Sequence, residues 1–189
     1  MKQRGGFVSN SSSSSFLLCY NDKSDFDCIK EYEGYDTFMS DLYPSDEQAI
    51  VEFLHNQYEH IVYQYRWYVE AQKKHWHSWH DSNPMKELAE MCSKLNCATD
   101  EIVQTINEGA RLIEQDCEHL NFDGVARLAS KFAKLVYDAV KGKWANMGIV
   151  GYSDNDGDFY AYMEHDFMYG IVGNHEADAN YCIIIRNEH

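Results

Sequence analysis

The residues best equipped for chemistry stand in one short run, HWHSWHD, where His75, His77, His80 and Asp81 supply imidazoles and a carboxylate. On a helix, positions three and four apart share a face, so His77, His80 and Asp81 would converge. Such donors suit Zn²⁺ or another divalent metal, and a bound metal would acidify a water and polarise a substrate oxygen. On that reading the protein is a metal-dependent hydrolase. The run is not HExxH, however, and a further ligand would have to come from His119, His165 or His175. With Trp76 and Trp79 interleaved, the same residues also suit a helix end at which the indoles pack and the imidazoles flank the terminus.

Other constellations are weaker. DNDGD, residues 154–158, offers hard oxygens to Ca²⁺ or Mg²⁺. Placing Gly157 at the glycine of an EF-hand puts Tyr152 and Met163 where the first and last carboxylates belong, so a hairpin turn is the alternative account. Glu164, His165 and Asp166, and likewise His175 and Glu176, are an acid–base vocabulary, but neighbours on a strand point to opposite faces. The serines at 11–15, with Lys2 and Arg4, lack the frame of a phosphate-binding loop. None of the cysteines, Cys19, Cys28, Cys92, Cys97, Cys117 and Cys182, lies in a CxxC pair or a known nucleophile motif. Free thiols in a reducing compartment are the expectation, with Cys92, Cys97 and Cys117 as small buried groups on helices.

Charge points elsewhere. Acidic residues number 31 against 16 basic ones, a formal charge of −15. A field of that sign repels nucleic acid and attracts basic proteins. The densest acidic stretch carries Asp22, Asp25, Asp27, Glu31, Glu33, Asp36 and Asp41 among Phe26, Ile29, Tyr32, Tyr35, Phe38 and Leu42. The leading expectation is therefore a small interaction or regulatory protein, in the manner of an inhibitor, presenting these carboxylates to a basic protein partner.

These residues must be positioned by recognisable elements. After Pro44, with Ser45 as N-cap, Ile50, Leu54, Tyr58, Ile61, Tyr65 and Tyr68 recur at helical spacing, and the pattern runs to about His80. Asn83 and Pro84 interrupt it. A second helical region carries Leu88, Met91, Leu95, Ile102, Ile106 and Ile113, as one bent helix or two. A third, capped by Asp123, runs through Val125, Leu128, Phe132, Val136 and Val140 to Gly142. Beyond it, aromatic and β-branched segments between Gly, Asn and Asp read as a meander: MGIVGY, FYAYMEH, FMYGIVG and YCIIIR. The expected fold is α+β, with three principal helices packed against a small C-terminal antiparallel sheet, and FLLCY as a candidate N-terminal strand beside YCIIIR.

One domain spanning 1–189 is expected, with residues 1–15 a flexible Ser-rich segment. GFVSNSSSSSF, residues 6–16, resembles the opening segments of small bacterial and phage proteins, a resemblance that carries no catalytic assignment. No apolar run approaches the roughly 20 residues that span a bilayer, and FLLCY is too short for a secretion signal. A soluble cytoplasmic protein is the expectation.

Overall fold

A computed structural model describes residues 13–74, 83–153 and 157–188. The chain divides into two compact units, residues 44–147 and residues 1–43 with 148–189.

The first unit contains four α-helices among its described residues: α2 (Glu47–Lys73), α3 (Pro84–Lys94), α4 (Asp100–Gln115) and α5 (Phe122–Val140). Local chemistry sets their ends. Asp46, rather than Ser45, caps α2 by accepting the Ala49 N–H at 2.8 Å. Asn83 accepts from Met85, with Pro84 in the first turn, where a missing N–H costs nothing. The second helical region proves to be two helices, because Asn96 turns left-handed (φ 53°) after α3 and Thr99 caps α4. Asn121 caps α5 through Gly124 N–H at 2.9 Å, which leaves Asp123 inside the first turn. The apolar stripes then interlock: α2 packs on α5, α3 and α4, and α4 on α5. Ile50, Leu54, Tyr58, Val62, Leu88, Ile102, Ile113, Val125, Phe132 and Val136 are buried.

The second unit is built on a three-stranded sheet of order β2-β1-β3, from β1 (Ser13–Tyr20), β2 (Asn146–Ser153) and β3 (Tyr181–Glu188). β1 pairs antiparallel with β3, from Ser13 opposite Glu188 to Tyr20 opposite Tyr181. Phe16, Leu18 and Tyr20 share one face of β1 and enter a core with Val150, Tyr152, Tyr181 and Ile183. A 3₁₀ turn at Lys23–Ile29 and helix α1 (Tyr35–Asp41) add Phe26, Ile29, Phe38 and Leu42 to that core. One continuous helical stretch closes it: α6 (Asp158–Tyr162), a π-helix (Met163–Val172), α7 (Gly173–His175) and a 3₁₀ turn at Glu176–Asp178.

The expected fold needs correction on three counts. Among the described residues there are seven α-helices, not three. The sheet is not a C-terminal meander, since the N-terminal strand is its central member. The segments FYAYMEH and FMYGIVG, read as strands, are helical. Their β propensity lost to the side on which burial is needed: a strand would place His165 beside Met163 and Phe167 on one face. The buried residues Met163, Phe167, Met168 and Val172 include two pairs five apart, the repeat of an i→i+5 helix. No helix among the described residues is long and apolar enough to cross a membrane.

Candidate functional site

The expected metal ligands His77, His80 and Asp81, with His75, lie outside the described residues, as do Asp154 and Asp156. Among the described residues no three His, Cys, Asp or Glu side chains come together in a way that could hold a metal ion. The acid–base runs do not converge either. On the π-helix Glu164 turns inward to 1% exposure, while His165 and Asp166 face solvent. Glu164 Oε1 accepts from Ser14 Oγ at 2.8 Å, and Ser14 Oγ also lies 3.0 Å from the Tyr169 hydroxyl. The His165 ring stacks on Tyr169. His175 approaches Asp178 and the Tyr32 hydroxyl, whereas the Glu176 carboxylate accepts the Ile183 N–H at 3.2 Å.

The seven carboxylates expected to meet a partner fall into two groups. Four are committed within the fold. Asp22 accepts the Ser24 N–H at 2.9 Å, and the Asp25 carboxylate in turn accepts the N–H groups of Asn21 and Asp22, a capping box on the 3₁₀ turn. The Ser24 backbone and hydroxyl bonds hold the Asp22 carboxyl below the usual aspartate value. Asp27 accepts from Tyr35, whose phenol is raised first by burial and then by that carboxylate. Asp41 accepts from Tyr152 at 3.4 Å. The remaining three, Glu31, Glu33 and Asp36, are exposed around Gly34, and none forms an ion pair with a described cation.

Gly34 makes that arrangement feasible. Its φ of 93° suits a residue without Cβ, and a Cβ there would stand 2.8 Å from Met163 Sδ and 3.2 Å from Tyr162 Cε1. The loop therefore lies directly on the helical stretch, and Tyr162 pins it by donating its hydroxyl to the Glu33 carbonyl at 2.6 Å. Around it opens a cleft of about 320 Å³ lined by Lys30, Tyr32, Glu33, Gly34, Tyr35, Asp36, Thr37 and Phe159. Tyr32 and Phe159 are each 42% exposed, so their ring faces are accessible at the cleft. The surrounding unit holds 15 acidic and 5 basic residues, so −10 of the −15 formal charge belongs to it.

Carboxylates beside accessible aromatic faces are a chemistry that suits a cation, and the Lys30 side chain lines the same cleft. The carboxylates supply charge-assisted hydrogen bonds, and the ring quadrupoles attract an ammonium or guanidinium group. Residue type alone identified the carboxylates in sequence. It missed Tyr32, Tyr35 and Phe159, because aromatic residues at such spacing read equally well as core. Phe159 joins the cleft from a segment more than a hundred residues away in the chain.

Comparison with family models, with curated proteins and with solved structures gives no match.

Proposed function

We propose that the protein is a binding protein, regulatory in role, that receives a basic side chain of a partner protein at the Glu31–Asp36 loop. The observation that carries this reading is the cleft in which Tyr32 and Phe159 stand exposed beside Glu33 and Asp36. A lysine or arginine entering it meets carboxylates and ring faces together. The charge of the unit, −10, accelerates the approach of a basic surface at low salt. Local geometry then selects what binds. All six cysteines are free thiols, which suits a reducing cytoplasm.

The test compares two variants of equal net charge against a fluorescent arginine-rich peptide, followed by anisotropy across a salt series. Glu33→Gln with Asp36→Asn removes the cleft carboxylates. Glu87→Gln with Glu90→Gln removes exposed charges from α3. The cleft pair is expected to weaken binding about tenfold, or about 1.4 kcal/mol, and the α3 pair less than about twofold. Equal weakening by both pairs would reduce the interaction to diffuse charge and remove the cleft from it.

A further inference from the structure

The end of α3 brings two thiols together by a purely local device. Asn96 takes a left-handed conformation, its N–H donates to the Ser93 carbonyl at 2.9 Å, and the Cys97 N–H donates to the Cys92 carbonyl at 2.9 Å. These paired bonds are the Schellman ending of a helix, which folds the second residue past the cap over the last turn. The two positions it brings into contact usually carry apolar side chains. Here they are Cys92 and Cys97, both buried, with their thiols hydrogen-bonded to each other.

Lys143 completes the arrangement. Its ammonium donates to the Asn96 carbonyl and holds positive charge beside Cys97. The bond from Cys92, and then that charge, draw the Cys97 thiol below its ordinary value despite burial. Cys92 moves upward, because it is the donor of the pair and lies in a dry environment. The ammonium of Lys143 beside Cys97 therefore favours Cys97 as the attacking sulfur and leaves Cys92 as the resolving one.

The geometry points to a dithiol redox site, in which Cys92 and Cys97 close into an intramolecular disulfide by exchange with a low-molecular-weight disulfide. The Cys97 thiolate attacks one sulfur of R–S–S–R, forming a mixed disulfide and expelling RS⁻. Cys92 then loses its proton to solvent and attacks the Cys97 sulfur, expelling the second RS⁻. Two electrons pass from the protein to the small disulfide, which leaves as two thiols once RS⁻ has taken up the released protons. Ser93, Lys94, Asn96 and Ala98 are exposed around the pair, so opening of one helix terminus admits the reagent without unfolding the four helices.

The protein carries its own comparison, since Cys19 and Cys182 also face each other, but in register across β1 and β3. Reaching them requires opening a strand ladder. The experiment exposes the native full-length chain to oxidised glutathione, quenches with acid over time, and maps bridges by peptide mass spectrometry. The expected result is a Cys92–Cys97 bridge forming roughly tenfold faster than any Cys19–Cys182 bridge. Cys92→Ser should trap the glutathione mixed disulfide on Cys97, and Lys143→Gln should slow closure about threefold by removing charge beside the thiolate. The inference is overturned if Cys92 and Cys97 stay reduced until denaturant is added, or if the native chain bridges other cysteines first.

Discussion

Gly109 lies in the middle of α4, yet replacing it with alanine should destabilise the protein, against its helix propensity. In the interior of a helix alanine is favoured over glycine by about 1 kcal/mol. At this position a Cβ would stand 2.3 Å from the Tyr58 hydroxyl oxygen, with Tyr58 Cζ and Met85 Cε next at 3.2 Å. Tyr58 is fully buried, packs against Phe132 at 4.9 Å between ring centroids, and donates its hydroxyl to the Thr105 carbonyl at 2.9 Å. The ring must shift, losing a buried hydrogen bond of about 1–2 kcal/mol and straining its neighbours by about 1–3 kcal/mol. Once propensity is credited, Gly109→Ala costs about 1–4 kcal/mol. Tyr58→Phe alone should cost about 1 kcal/mol, because only the hydroxyl bond is lost. In the double variant the closest clash is gone and the 3.2 Å contacts yield by a few tenths of an ångström, so its stability should return to within about 1 kcal/mol of the parent. Tyr58→Phe therefore changes sign with background, destabilising the parent and stabilising the alanine variant, with a coupling of about 2 kcal/mol or more. Urea unfolding of the four proteins, with the slope checked for constancy, measures this directly. If Tyr58→Phe destabilises both backgrounds alike, the packing of α2 on α4 described above is wrong.

Two further outcomes bear on the sheet-bearing unit. Gly34→Ala imposes a left-handed φ on an L-residue and a 2.8 Å contact with Met163 Sδ, so it should cost about 2–4 kcal/mol in thermal unfolding and weaken the arginine-rich peptide as the loop shifts. A loss below about 1 kcal/mol would show that the loop does not rest on the helical stretch. Glu164→Met replaces a buried carboxylate whose Oε2 has no partner among the described residues, while Ser14 Oγ keeps the Tyr169 hydroxyl at 3.0 Å. The variant should be neutral or about 1 kcal/mol more stable in urea, and a loss above about 2 kcal/mol would mean that the carboxylate is fully satisfied in solution.

The candidate cleft was half legible. Glu31, Glu33 and Asp36 are identifiable as acidic by type, but so are Asp22, Asp25, Asp27 and Asp41, which the fold consumes as caps and phenol acceptors. Counting carboxylates cannot separate the two groups, since the donors that claim Asp27 and Asp41 are brought by chain reversal. The dithiol was hidden differently. Cys92 and Cys97 are not a CxxC pair, and their meeting depends on Asn96 tolerating positive φ at a helix end.

What the sequence by itself determined is whatever depends on residues a few positions apart. The stripes of α2 to α5, the Asn83–Pro84 break before α3 and the strand character of FLLCY and YCIIIR all follow from local period and turn chemistry. The net charge does too. Tertiary structure decided the rest. Residues 158–178 carry strand-forming side chains, but their form was settled by which of them must face Phe16, Phe38 and Tyr181, and only a helix places Met163, Phe167, Met168 and Val172 there together. Likewise β1 became the central strand because its neighbours arrive from the far end of the chain. A period can be read from nearby residues, whereas the surface that rewards one period over another is assembled only when distant segments meet.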